Sequence, residues 1–310
     1  MYAIKTENLV RRFESVTAVD GLNLQVPRGI IFGFLGPNGA GKTTTIHLLL
    51  GLLEPTRGNA SVFGYDTKTQ SESIRSITGV LFQNSGLYER LSVFNNMKFF
   101  AKVWNLPQDI QESRIRNLLT QFGLWERRNQ ITSKLSTGMK RKLAIARTLI
   151  HQPKLIILDE PTAGLDPIAR TNLQEGIIEI CNREEATFLI TTHNLHEAEK
   201  ICSQVAVINQ GKVVVQDDVS ELRKLSKSVQ IEIIGNKFDD NVLSALQTIE
   251  GISITQSLET HLIIEVPPGI SSSEINSVII NSGGSVEELK YTRTNLEDLF
   301  LSLIKGNDDN

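Results

Sequence analysis

Residues Gly36-Pro37-Asn38-Gly39-Ala40-Gly41-Lys42-Thr43 follow the pattern GxxxxGK[ST]. An apolar run, 30–35, leads into them and a helix-compatible run, 44–53, leads out. That strand–loop–helix context separates a phosphate-cradling loop from a chance match. Glycine at 36, 39 and 41 lets the backbone turn tightly and approach phosphate without a Cβ in the way. Successive N–H groups then converge on an anion, and a helix beginning near Lys42 turns its positive end toward the same point. Lys42 is expected to reach the β- and γ-phosphates of a nucleoside triphosphate, and the Thr43 hydroxyl to bind Mg²⁺. Pro37, Asn38, Ala40 and Thr44 complete the expected phosphate-binding set.

The chain has 310 residues, enough for a sizeable core and more than one domain. Apolar residues make up 40% and charged residues 22%, as in a globular protein, and the net charge of −3 points to no nucleic acid or anionic membrane surface. Cys181 and Cys202 are the only cysteines, too few for a disulfide framework, so a reducing compartment is expected. The N-terminus lacks a signal-peptide pattern, and no run reaches the ~18 apolar residues of a membrane span.

Short apolar strands are expected at 79–82, 155–158, 188–191 and 205–208, separated by helical stretches. Alternating Leu22, Leu24 and Val26 add a half-buried strand, and Ser92 is placed to cap a helix running to about Trp104. Strands alternating with helices predict an α/β fold with a mainly parallel sheet covered on both faces. The strand at 155–158 ends in Asp159-Glu160. A buried strand would deliver Asp159 to the phosphate end of the sheet to hold Mg²⁺ through water, and Glu160 would then orient and polarise an attacking water. Beyond about 226 the pattern changes to strands at 229–234, 252–255 and 261–266 with helices at 239–249, 273–281 and 296–304, a small α+β domain. The tail, 306–310, is expected to be disordered.

Leu135-Ser136-Thr137-Gly138-Met139 precedes a helix carrying Lys140, Arg141 and Lys142, and resembles the LSGGQ signature of ATP-binding-cassette (ABC) ATPases. In that family's order, Gln83 matches the Q-loop, Gly164-Leu165-Asp166 the D-loop, His193 the switch histidine, and Phe13 the aromatic that stacks on adenine. The resemblance covers residues 1 to about 220. It implies a P-loop NTPase fold with an antiparallel β subdomain and a helical subdomain (about 84–150). The expected domains are therefore a nucleotide-binding domain at 1–222 and an accessory domain at 227–305.

The resemblance further implies a head-to-tail dimer, homo- or heteromeric, in which ATP is the glue. Ser136 and Gly138 of one subunit would contact the γ-phosphate held by the other, with Asp166 at the interface. Gln83 would touch Mg²⁺ or the attacking water, and His193 the γ-phosphate. Thr137 departs from the signature's first glycine and Met139 from its glutamine. A Cβ at 137 is able to crowd the phosphate or strain a backbone with positive φ. The drug- and antibiotic-export members that this chain resembles nevertheless vary at these positions, so the site is expected to work with weaker dimer closure.

Leu87 to Leu106, the linker near Glu221 and the closing segment Thr294-Asn295-Leu296-Glu297-Asp298-Leu299-Phe300 resemble ATPases of the daunorubicin- and bacitracin-resistance exporter type. That likeness implies export through a separate membrane permease, which would hold the chain peripherally at the cytoplasmic face of the cell membrane. Tyr88, Leu91, Val93 and Phe94 are candidate permease contacts; packing within the helical segment is the competing reading.

The alternative function is a non-transport ABC ATPase acting on ribosomes or DNA. The ribosome-acting kind usually carries two cassettes in one chain, and the DNA-acting kind a long coiled coil between loop and signature. Neither pattern occurs here. A simple P-loop kinase would not need the signature segment. Segment 193–197 is not HExxH and supplies no zinc spacing. Asn236-Lys237-Phe238-Asp239 spells a guanine-reading pattern without any accompanying switch motif, and is taken as coincidence.

Overall fold

The computed structural model of the chain describes residues 1–82, 86–225, 229–267 and 270–293. Gln83, the expected helix at 296–304 and the tail at 306–310 lie outside the described residues. By internal contacts the chain divides into two units, Met1–Val219 and Ser220–Asn310.

The first unit opens with β1 (Tyr2–Phe13), β2 (Val16–Leu22), β3 (Gln25–Pro27) and β4 (Ile31–Leu35); α1 (Lys42–Leu49), β5 (Arg57–Val62) and β6 (Tyr65–Asp66) follow. β1 pairs antiparallel with β2, β3 and β5, and β5 with β6, which gives one antiparallel sheet. The alternating row Leu22, Leu24 and Val26 is fully buried as its periodicity predicts. It is nevertheless split between two strands: Leu22 pairs with Leu9, and Val26 with Ile4. The Thr6 hydroxyl bridges the gap, donating to Leu22 O and accepting from Leu24 N, both at 2.8 Å.

Next come α2 (Ser71–Ser76), β7 (Thr78–Leu81), α3 (Val93–Val103), α4 (Gln108–Gln121) and, after two 3-10 turns, α5 (Thr137–Thr148). Ser92 caps α3 by accepting from Asn95 N. Val93, Met97 and Ala101 form the buried stripe of α3, one residue per turn. Asn96 is buried beside them with its amide satisfied by Tyr88 N and O, Ser92 O and the Thr132 hydroxyl, so it fastens the surrounding loops to the helix.

The remainder of the unit runs through β8 (Leu155–Asp159), α6 (Pro167–Glu184), β9 (Thr187–Thr192), α7 (Leu195–Ile201), β10 (Gln204–Asn209) and β11 (Lys212–Asp218), and α8 (Val219–Leu225) follows. The central sheet has the order β11-β10-β4-β9-β8-β7. Its five strands from β10 to β7 are parallel and β11 is an antiparallel edge. Every residue of β4, β8 and β9 is buried, which is why each carries a continuous apolar stretch, flanked by threonines in β9 and ended by Asp159 in β8.

The second unit contains β12 (Val229–Asn236), α9 (Asp240–Gln247), β13 (Ser253–Leu258), β14 (His261–Val266), α10 (Ser272–Asn281) and β15 (Ser285–Arg293). The sheet order β13-β14-β12-β15, antiparallel throughout, is the ferredoxin-like split βαβ arrangement. Its core joins Ile231, Ile233, Leu262 and Ile264 of the sheet to Val242, Leu246, Ile275 and Ile279 of the helices.

Candidate active site

Because β4, β9 and β8 are parallel neighbours, their carboxyl ends open on one edge of the sheet. Ligands of open α/β sheets bind at that edge. β4 leads into the glycine-rich loop, β8 ends in Asp159 before Glu160, and β9 is followed by His193.

The loop's glycines are required for more than phosphate access. A Cβ on Gly36 would stand 2.3 Å from Ile208 O in β10, and one on Gly41 2.3 Å from Ala18 O in β2. Gly41, with φ +104°, is also the N-cap of α1. Gly39 is left-handed (φ +81°) with open space around it, so only its dihedral calls for glycine.

Lys42 is buried, and its ammonium donates to Gly36 O at 2.7 Å and Pro37 O at 2.9 Å. Burial pulls its pKa down from the ordinary lysine value, against the opposing pull of the Glu160 and Asp159 carboxylates. Asp159 is buried as well and accepts a hydrogen bond from the Thr191 hydroxyl.

Glu160 adopts a left-handed backbone, φ 47°, which for a non-glycine residue costs about 1–2 kcal/mol. Its N–H donates to Thr191 O at 3.1 Å, and its Oε1 lies 2.9 Å from His193 Nδ1. The outer part of the His193 ring is exposed. The Glu160–His193 pairing was not foreseen from the sequence, where the two stand 33 residues apart.

A cavity of about 170 Å³ is lined by Ala18, Asn38, Lys42, Thr43, Asp159 and Glu160, with Gly39, Gly41 and Thr44 completing it. It is smaller than the ~300–1,000 Å³ of pockets that enclose a drug-sized ligand. The Thr43 hydroxyl and the two carboxylates supply hard oxygen donors. Mg²⁺ takes one or two carboxylates and fills its remaining positions with phosphate oxygens and water, so these residues fit it.

Ser136 is the N-cap of α5, its Oγ accepting from Met139 N at 3.3 Å, which leaves its O–H free to donate. Ser136 and Thr137 are exposed at this helix start. Thr137 is the first helical residue and is absent from the positive-φ positions, so the expected backbone strain does not arise. Gly138 abuts the first turn of α6: a Cβ there would meet Ala169 Cβ at 3.3 Å. Asp166 caps α6 by accepting from Ala169 N at 2.8 Å, and the neighbouring Ile168 is 76% exposed. Phe13 ends β1 half-exposed, with the Arg11 guanidinium 4.4 Å from its ring centroid. No position is described for Gln83.

The guanine-like pattern of the second unit is used structurally. Asn236 ends β12, Lys237 is left-handed, Phe238 is buried in the core, and Asp239 caps α9.

A second depression of about 330 Å³ lies between the central sheet and α3, lined largely by Leu52, Phe82, Phe100, Val103, Trp104 and His151. Of the four candidate permease contacts, Tyr88 is exposed and Leu91 and Phe94 half-buried, but Val93 is fully buried and unavailable to a partner. The His151 ring stacks on Trp104 at 3.7 Å, and burial lowers its pKa to about 4.

Residues 19–163 match the family model described as ABC transporter. The bacitracin transport ATP-binding protein of Enterococcus faecalis is 32% identical, over 98% of this chain and 97% of its own length. A daunorubicin resistance ATP-binding protein of Streptomyces coeruleorubidus is 31% identical over 97% and 95%. Among solved structures, cbiO1 of Clostridium perfringens, part of the ABC transporter complex cbiONQ, is 30% identical with a TM-score of 0.67, covering 73% of this chain and 94% of its own. Fold and site thus define a P-loop ATPase. This chain belongs to the ABC transporter family, among its ATP-binding subunits. The full-length likenesses extend into the second unit, whereas the structural one is confined to less of the chain. No helix among the described residues is long and apolar enough to cross a membrane.

Two outcomes follow from this geometry. Gly36→Ala is expected to cost about 1–3 kcal/mol by overpacking and to abolish ATP retention. Gly64→Ala, left-handed but open, should keep ATP binding; thermal melts and equilibrium ATP titration check both. The second concerns His151, which stays neutral in the folded chain down to about pH 4 but protonates near 6.5 when unfolded. The unfolded state therefore binds more protons between those values, and stability falls as pH drops through that window. In melting curves across it, His151→Phe should flatten the slope.

Proposed function

We propose that this chain is the ATP-binding and ATP-hydrolysing subunit of an ABC exporter, powering movement of a drug, antibiotic, lipid or similar small molecule through a separate membrane permease. The carrying observation is the cluster at one sheet edge: Lys42 in the glycine loop, Asp159 and Glu160 beside it, and His193 hydrogen-bonded to Glu160. The full-length likeness to bacitracin transport and daunorubicin resistance proteins supports export over action on ribosomes or DNA.

In this reading the backbone N–H groups of residues 38–44 and the Lys42 ammonium hold the triphosphate, and Phe13 stacks on adenine. Thr43, Gln83 and Asp159 would hold Mg²⁺, which would supply positive charge to the phosphate oxygens. Glu160 orients the attacking water and takes its proton. His193, steadied beside Glu160, would hydrogen-bond the γ-phosphate and stabilise the charge developing there.

The small volume of the cavity supports a site completed by a second chain. There the Ser136 hydroxyl, the Gly138 N–H and the positive end of α5 meet the γ-phosphate from the other side, with Asp166 and exposed Ile168 at the contact. The partner is a second nucleotide-binding subunit, identical or homologous. The apolar depression at Phe82, Phe100 and Trp104 suits a docked permease segment, which would hold the chain at the cytoplasmic face of the membrane. The second unit supports pairing or regulates it.

Glu160→Gln is expected to cut kcat by about 10²–10⁴, the worth of a positioned base, while equilibrium titration still shows MgATP bound. Undiminished turnover in that variant would remove Glu160 from the mechanism. Isolation of the chain from membranes together with an integral-membrane protein tests the transport assignment, and recovery with ribosomes instead would contradict it.

A further inference from the structure

Arg141 lies in the first turns of α5 between Lys140 and Lys142, yet of these three cations only Arg141 is buried. Its guanidinium reaches three successive carbonyls of the turn after β8. Nε donates to Pro161 O at 2.7 Å, and Nη2 donates to Asp159 O at 3.1 Å and to Glu160 O. A planar fork of five donors can serve three carbonyls of a tight turn at once, which a lysine ammonium on its flexible stem does poorly.

The turn it grips is the least comfortable part of the site. Glu160 is left-handed, and from the opposite side its N–H is held by the carbonyl and the hydroxyl of Thr191. Such a backbone persists only where its surroundings over-determine it. Thr191 and Arg141 are those surroundings, one fixing the amide and the other the carbonyl of the same residue.

We propose that Arg141 is a positioning residue for hydrolysis: it fixes the Glu160 backbone so that the carboxylate stands at the mouth of the glycine loop, and it ties that carboxylate to the helix capped by Ser136. The inference rests on the reading that Glu160 orients water and that Ser136 and Gly138 engage a nucleotide on a second chain. In such a pair the start of α5 serves one nucleotide while Arg141, on the same helix, serves the other. One rigid element then reports engagement at one site to the catalytic carboxylate of its neighbour. Small displacements suffice, because a misplacement of about 1 Å can lower a rate by about 10².

The test compares Arg141→Gln and Arg141→Lys with the wild type in the full-length chain. The readouts are steady-state ATPase, equilibrium MgATP binding and thermal unfolding. In the Gln variant kcat should fall about 10- to 100-fold, with KM and Kd for ATP within about threefold of wild type. The Lys variant should recover part of kcat, since the cation returns without the fork.

A folded Gln variant with wild-type kcat overturns the inference, as does a loss of kcat that merely tracks lost ATP affinity. If the Gln variant does not fold, the Lys variant decides alone. Reduced kcat at unchanged Tm and affinity supports positioning, and wild-type kcat refutes it. A wild-type chain that binds no ATP would instead overturn the proposed function, and this inference with it.

Discussion

The carbonyl oxygens of Ile208 and Ala18 occupy the space where side chains on Gly36 and Gly41 would begin. The glycine loop is thus pressed between β10 of the central sheet and β2 of the antiparallel sheet, and its path is set by contacts that involve no ligand. A loop whose path is set by such contacts has less conformational freedom to lose at the moment of binding. The parallel sheet does the rest. Because β8 and β9 end level with β4, the residues that follow them arrive at the same loop without any long connection. Asp159, Glu160 and His193 converge there for a topological reason.

The electrostatics of that edge are balanced internally. Lys42 is desolvated, which weakens its hold on a proton, while Glu160 and Asp159 favour the charged form. Arg141, also buried, has its pKa lowered by desolvation and its donors spent on backbone carbonyls of the carboxylate-bearing turn. Glu160 is thereby constrained at its amide, at its carbonyl and, through His193, at its carboxylate. The cavity beside it, about 170 Å³, is smaller than pockets that enclose a whole ligand.

Much of this was legible in the sequence. Strands buried on both faces leave unbroken apolar runs, so β4, β8, β9 and β10 could be placed within a residue or two. The glycine loop announced itself through spacing. Other features left weaker traces. The Leu22–Val26 alternation gave burial correctly but not the break between β2 and β3, which a side chain, Thr6, makes possible from 16 residues away. β15 was missed because Ser285–Arg293 is mostly polar and gains its strand from pairing with β12.

The left-handed backbone of Glu160 leaves no mark on composition at all. Arg141 left one that went unread: spaced four and seven residues before Ile145 and Thr148, it shares their buried face, and a cation on a buried stripe calls for partners. At Thr137 the backbone is the start of a helix, so its dihedrals do not call for glycine.

Completion of the nucleotide site by a second chain is the feature on which the proposed function turns. Sedimentation velocity of the Glu160→Gln chain, at one protein concentration with MgATP or MgADP, measures this directly. A species of twice the chain mass is expected with MgATP, and the single chain with MgADP. A single chain under both conditions, alone and in the presence of its permease, would contradict it.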